Sequence, residues 1–132
     1  MDLSGMSVAV IGLGVSGVAA ARLAAEKGGE VYVSDSRTED AVAASGADLG
    51  DGIEVDLGRH DIERMVDADF VVTSPGILPS APVLQGLKKR GVKWISEPEF
   101  ASRFLDASLI GITGTNGKTT TCLLYTSDAA DE

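Results

Sequence analysis

Short apolar runs alternate with longer mixed segments along most of this chain. Residues 7–11, 30–34, 53–57, 69–73, 92–95 and 108–113 are strand-like, with β-branched or aromatic residues close together. Phe70-Val-Val72 has no polar alternation, which predicts a strand covered on both faces. Between the runs, residues 18–27 are alanine-rich and helical in character. Residues 79–90 carry Leu84 and Leu87 ahead of a basic end at Lys88, Lys89 and Arg90, and Gly91 follows as a natural stop. Residues 97–105 place Phe100 and Phe104 on one helical face. Residues 36–52 read as a short helix and a loose turn, and 61–66 as a helical turn or two. A last helix is expected to begin near Lys118. This alternation predicts an α/β fold, with a Rossmann-like, mostly parallel sheet and flanking helices.

Two strand-to-helix junctions have the chemistry of an anion cradle. The first is Gly12-Leu-Gly-Val-Ser-Gly17, a G-x-G-x-x-G loop between a strand and a helix. Gly12 suits the tight turn, Gly14 lets a ligand approach the backbone, and Gly17 lets the helix pack on the strand. The following strand ends at Asp35, about twenty residues on, where a carboxylate can read a ribose or base. The second junction is Ile110-Gly-Ile-Thr-Gly-Thr-Asn-Gly-Lys-Thr-Thr-Thr121. Gly114 and Gly117 keep its backbone bare, Lys118 can meet the outer phosphates of a nucleotide, and the Thr119 hydroxyl can ligate Mg²⁺. The helix dipole would favour the same anion. The strict pattern G-x-x-x-x-G-K-[ST] asks for glycine at 112, where this chain has Ile112, so the loop is a variant P-loop. A plain glycine turn does not account for Lys-Thr directly after the second glycine.

A third loop, Ser74-Pro-Gly-Ile77, follows strand 69–73 at the edge where open parallel sheets bind ligands. The Ser74 hydroxyl is a candidate donor and the Gly76 amide a candidate diphosphate contact. Taken alone, the segment is better explained as a Pro-Gly turn that merely sets backbone angles.

Composition narrows the classes. A formal net charge of −9 argues against nonspecific binding to nucleic acid or acidic membranes, while leaving local phosphate binding by amides and one lysine open. No apolar run approaches the ~18 residues of a membrane span, and no basic-then-apolar leader opens the chain. The single cysteine, Cys122, cannot close an internal disulfide; a reducing cytoplasm is the expected compartment. Cys122 is expected to be a buried helix residue, Trp94 a core or interface residue within a strand, and His60 a surface-loop residue. Glu97 and Glu99 read as carboxylates enriched at a helix start.

Gly12-Leu-Gly-Val-Ser-Gly17, Asp35-Ser-Arg37, Ser74-Pro-Gly-Ile77, Glu97-Pro-Glu-Phe100 and Thr113-Gly-Thr-Asn-Gly-Lys-Thr-Thr120 together resemble the Mur ligase family. The likeness is greatest to the branch that adds D-glutamate to UDP-N-acetylmuramoyl-L-alanine. The last motif also occurs, in related form, in folylpolyglutamate synthetases. The resemblance runs through Thr121 and implies a three-domain enzyme. This chain would carry a UDP-sugar-binding domain, residues 1–106, and the truncated start of a central P-loop ATPase domain, residues 107–132.

Position by position, the resemblance implies that the Val15 and Ser16 amides and Gly76 face the diphosphate, with Gly14, Ser74 and Pro75 at the same UDP-sugar site. Asp35, Ser36 and Arg37 would surround the uracil and ribose. Lys118 and Thr119 would be the catalytic residues on ATP and Mg²⁺, Thr119 as metal ligand. Gly114, Thr115, Asn116, Gly117 and Thr120 would complete the ATP loop. The implied chemistry is amide formation in cytoplasmic peptidoglycan precursor synthesis by a monomer. The substrate carboxylate attacks the γ-phosphate of ATP to give an acyl phosphate, and the D-glutamate amine displaces phosphate through a tetrahedral intermediate.

Beyond Thr121 the family would continue with a long helix and the rest of the ATPase domain; here the chain reads Cys-Leu-Leu-Tyr-Thr-Ser-Asp-Ala-Ala-Asp-Glu. The last ten or so residues are expected to be non-native, and the 132-residue chain alone to be inactive as a ligase. Two other functions fit parts of the pattern. An NAD(P)-dependent oxidoreductase would use the first glycine loop and Asp35 but has no use for Gly-Lys-Thr. A noncatalytic nucleotide sensor would leave the P-loop without a role.

Overall fold

The computed structural model describes the backbone of residues 1–130 and side chains through Leu124. Expectations for the chain end past these limits lie outside the described residues. Five strands, β1 (Ser7–Ile11), β2 (Glu30–Asp35), β3 (Ile53–Leu57), β4 (Phe70–Thr73) and β5 (Ile95–Ser96), form one parallel sheet in the order β3-β2-β1-β4-β5. The helices are α1 (Val15–Glu26), α2 (Asp40–Ala47), α3 (Ile62–Val66), α4 (Pro82–Lys89), α5 (Glu97–Ser102) and α6 (Lys118–Ala130). The predicted α/β architecture is present.

Register explains why the strands lack polar alternation. Val8 and Val10 pair with Val31 and Val33 on one side and with Phe70 and Val72 on the other. These valines face a core closed by Ala20, Ala21 and Ala24 of α1 and by Phe100 of α5. Ala9, Ile11, Tyr32 and Val71 point the opposite way, against Met65, Val83, Leu84 and Leu87. Burying each large aliphatic side chain stabilises the fold by about 1.5–3 kcal/mol. Small residues on α1 bring its axis close to the sheet. Phe100, fully buried, meets Phe70 and Phe104 edge-on, with centroids 6.0 and 5.1 Å away.

Several boundaries differ from the sequence expectation. Helix α1 begins at Val15, not residue 18, because Gly14 is already its N-cap and the glycine loop runs into the first turn. Helix α4 begins at Pro82, not residue 79: the residue before a proline is pushed extended, and Ala81 sits at φ −58°, ψ 139°. Strand β5 is Ile95–Ser96, since only these residues pair with β4, at Val72 and Thr73. Val92 and Trp94 still pack against the second core, from outside the strand. Helix α5 stops at Ser102, and Arg103, Phe104 and Leu105 continue in tight i→i−3 turns.

The expected strand at 108–113 does not form. A strand needs a ladder, and residues 108–113 pair with none of the five described strands; Leu109 and Ile110 are exposed. Helix α6 does begin at Lys118, as expected. Cys122 is exposed on it, contrary to the buried position predicted. Every described residue from 105 to 124 is exposed, and none belongs to either core.

The sheet order places the ligand edge. From β1 the chain winds outward through β2 and β3, then crosses back to β4 and β5. The connections after β1 and β4 therefore leave in opposite directions, opening a crevice beyond the carboxyl ends of these neighbours.

Candidate functional site

That crevice is a cavity of about 640 Å³, within the range of small-molecule sites. Its floor is the first glycine loop. Gly12 has φ +104°, a conformation L side chains rarely adopt, and a Cβ there would lie 2.8 Å from Ser74 Oγ. At Gly17 a Cβ would sit 2.0 Å from the Gly12 carbonyl oxygen, so glycine is what lets α1 seat on the turn. A Cβ at Gly14 would meet nothing within 4 Å; its bare face opens on the cavity. Gly14 caps α1 in extended conformation with no side-chain hydrogen bond, which leaves first-turn N–H groups for an anion.

Asp35, almost fully buried at the end of β2, ties this loop to the adjacent wall. Its Oδ2 accepts from the Leu13 amide at 2.8 Å and the Arg37 guanidinium at 2.8 Å. Its Oδ1 accepts from the Arg37 amide at 2.9 Å and Arg37 Nε at 3.0 Å. The Arg37 guanidinium, more than the two amides, holds the Asp35 carboxyl far below the usual carboxylate range, against a smaller opposing effect of burial. Ser36 and Arg37 line the cavity beside it.

Across the crevice, the Ser74–Ile77 turn is fastened at both ends. The Ser74 amide donates to the Ile11 carbonyl at 3.1 Å, and the Ile77 amide to the Ser74 carbonyl at 3.1 Å. Pro75 and Gly76 line the cavity, while the Ser74 hydroxyl donates to Glu97 Oε1 at 2.6 Å. Of the residues expected at a UDP-sugar, Gly14, Ser16, Asp35, Ser36, Arg37, Ser74, Pro75 and Gly76 all border this one space. Val15 does not; it is 94% exposed, and its amide belongs to the helix start.

Two residues were missed from sequence. His60 was expected on a surface loop, yet it is half-buried on the cavity wall, with Nδ1 2.7 Å from the buried Ser34 Oγ. Burial pushes its pKa down, so its neutral form is favoured. The neighbouring Asp61 amide donates to the Tyr32 hydroxyl at 3.0 Å, which fixes this loop to β2. The usable signal was position: His60 follows β3 much as Ser74 follows β4. Glu97 was read only as a helix-start carboxylate. Glu97 and Glu99 do occupy the first turn of α5, with Ser96 as its N-cap accepting from the Glu99 amide at 3.3 Å, but Glu97 is also buried against Ser74.

The second glycine loop stands apart from the crevice. Gly114 and Gly117 both have positive φ, +152° and +85°, so the backbone takes the conformations glycine was expected to supply. The Lys118 ammonium donates to the Gly114 carbonyl, and Thr121 Oγ1 to the Gly117 carbonyl at 2.8 Å. Thr115, Asn116, Thr119 and Thr120 are exposed around them. Among the described residues no His, Cys, Asp and Glu side chains cluster as a metal site.

Comparison with known proteins identifies the family. Residues 6–96 match the family described as Mur ligase MurD-like, N-terminal domain. A UDP-N-acetylmuramoylalanine–D-glutamate ligase of Desulfatibacillum aliphaticivorans is 42% identical over 121 residues, covering 91% of this chain and 27% of that protein. The protein of the same name from Chlorobaculum parvum is 47% identical over 122 residues, covering 92% and 26%. Among solved structures, a pseudomurein peptide ligase type C from Methanothermus fervidus superposes with a TM-score of 0.62 at 33% identity, covering 88% of this chain and 24% of that one. The chain spans about a quarter of the length of the curated relatives it matches.

Proposed function

This chain belongs to the Mur ligase family through its MurD-like N-terminal domain, and from that premise we propose that its crevice holds the UDP portion of UDP-N-acetylmuramoyl-L-alanine. The enzyme it serves is an ATP-dependent ligase that adds D-glutamate to that substrate through an acyl phosphate. The observation that carries the reading is the uncapped start of α1 and the Gly76 turn bordering one cavity whose adjacent wall is Asp35, Ser36 and Arg37. A diphosphate needs the first pair of features, and a base and ribose need the polar wall beside them. The Asp35 carboxylate already accepts four protein hydrogen bonds, so it acts on the nucleotide by holding Arg37 and the glycine loop. A nicotinamide reading needs those oxygens for ribose hydroxyls, and their full engagement counts against it.

Residues 107–132 are the start of the ATPase domain in this reading. Exposed Leu109, Ile110 and Ile112 suit the core of that further domain. ATP supplies the phosphoryl group, with Mg²⁺ as its counter-charge. The bare loop at Gly114 and Gly117 admits phosphates, Lys118 offers the cation and Thr119 a hydroxyl oxygen of the kind Mg²⁺ takes. This reading assigns the remaining metal ligands, the D-glutamate pocket and the acid–base groups to the rest of the length that the relatives have. In the family-length ligase, Lys118→Ala should lower kcat by roughly 10²–10³-fold, the scale of losing one charge stabiliser on a transferring group. The affinity for the UDP-sugar should stay within about twofold. Steady-state kinetics with parallel calorimetry read both, and a variant that lost UDP-sugar affinity but kept turnover would reverse the assignment of the two loops.

A further inference from the structure

We propose that Glu97 is a positioning residue for the nucleotide crevice, acting through the Ser74 hydroxyl to hold the Pro75-Gly76 turn against the first glycine loop. The inference rests on the UDP reading above and adds to it a residue outside the glycine-loop, Asp35 and Pro-Gly contacts.

Glu97 opens α5 directly after β5 and is only 5% exposed. Its Oε1 accepts a hydrogen bond from the Ser74 hydroxyl at 2.6 Å. Ser74 Oγ occupies a notch that exists only because two glycines lack side chains: a Cβ at Gly12 would come to 2.8 Å from it and one at Gly17 to 3.2 Å. The backbone on either side of that hydroxyl forms the turn bearing Gly76. One carboxylate thus fixes the contact between the two loops that face each other across the cavity.

Glu97 Oε2 is buried with no hydrogen-bond partner. An unpaired buried carboxylate oxygen disfavours the folded state, and the surroundings, with Ala20, Leu23, Pro75 and Ala101 among them, would accept an apolar side chain. A residue that only supported the fold would be improved by losing that charge. A residue that sets the turn would lose binding along with the Ser74 contact, whatever the gain in stability. Glu97→Leu is therefore expected to keep or raise the thermal midpoint while weakening nucleotide binding.

The test is calorimetric titration of the chain with UDP, alongside thermal unfolding, for wild type, Glu97→Leu, Glu97→Gln, Ser74→Ala and the Ser74→Ala/Glu97→Leu double variant. Losing one charge-assisted hydrogen bond should raise the UDP Kd about tenfold in Glu97→Leu and Ser74→Ala alike. The double variant should bind no worse than Ser74→Ala alone, because both changes break one contact. Glu97→Gln keeps an acceptor oxygen for Ser74 and should stay within about threefold of wild type. Wild-type affinity in Glu97→Leu, or additive losses in the double variant, would overturn the proposal while leaving the UDP reading in place. If Glu97→Leu does not fold, Ser74→Ala decides: wild-type affinity there overturns the proposal. A wild-type chain that fails to bind UDP removes the functional reading, and this inference with it.

Discussion

Asp35→Ala should cost the fold about 2–3 kcal/mol and weaken UDP binding at least tenfold. The stability figure follows from what the carboxylate does. It is the acceptor for the Leu13 amide in the glycine loop and for the amide and guanidinium of Arg37. Deleting it strands a buried N–H, which typically costs about 1–3 kcal/mol. Because Arg37 is half exposed, its ion pair adds only a modest increment. Binding suffers because the glycine loop and the Ser36–Arg37 wall lose their common anchor. The same carboxylate predicts an acid response. Its pKa is lowered in the folded state, so its stabilisation is complete above the unfolded value of about 3.9 and is lost as pH falls below it. Urea unfolding at pH 5 and pH 2.5 should show a larger acid loss for wild type than for Asp35→Asn. Parallel losses in the two proteins would mean the acid sensitivity lies elsewhere.

Two alanine substitutions three residues apart should have opposite effects. In Gly17→Ala the new methyl would sit 2.0 Å from the Gly12 carbonyl oxygen, a backbone atom that cannot swing aside. Helix α1 would have to lift from the sheet, disturbing the packing of Ala20, Ala21 and Ala24. We expect a loss of at least ~3 kcal/mol, enough to unfold a marginal domain. Gly14 has an ordinary negative φ and open space at its Cβ position. Gly14→Ala should therefore fold with wild-type stability to within about 0.5 kcal/mol. Its methyl would project where a phosphate must approach, and UDP affinity should fall by roughly a hundredfold. Thermal unfolding and calorimetry on the pair separate the two roles. A stable Gly17→Ala, or a Gly14→Ala that binds normally, would contradict this division.

The elements that were legible in sequence are those whose physics is local. The run Phe70–Val72 predicted a strand covered on both faces, and it is one; residues 7–11, read as strand-like, form a strand whose side chains reach both cores as well. The spacing of Gly12, Gly14 and Gly17 encodes a turn, an opening and a helix contact within six residues: Gly12 takes the positive φ, Gly17 seats the helix, and the space at Gly14 is open. What was not legible depends on partners far along the chain. Strand 108–113 has the right residues but no neighbour to pair with among the described strands. β5 shrinks to the two residues that reach β4. Ser74 and Glu97 lie twenty-three positions apart, and no periodicity announces that one buried hydrogen bond joins them. His60 reaches the cavity wall only because β3 and β2 are paired so that its loop falls beside Ser34.

The most direct test of the central claim is a calorimetric titration of this 132-residue chain with UDP-N-acetylmuramoyl-L-alanine, run against NADH under the same conditions. Saturable one-to-one binding of the UDP-sugar, weakened roughly a hundredfold by Gly14→Ala, with no heat from NADH, is the result expected of a crevice built for a UDP diphosphate. Binding of NADH in place of the UDP-sugar, or UDP-sugar binding that Gly14→Ala leaves untouched, would contradict it.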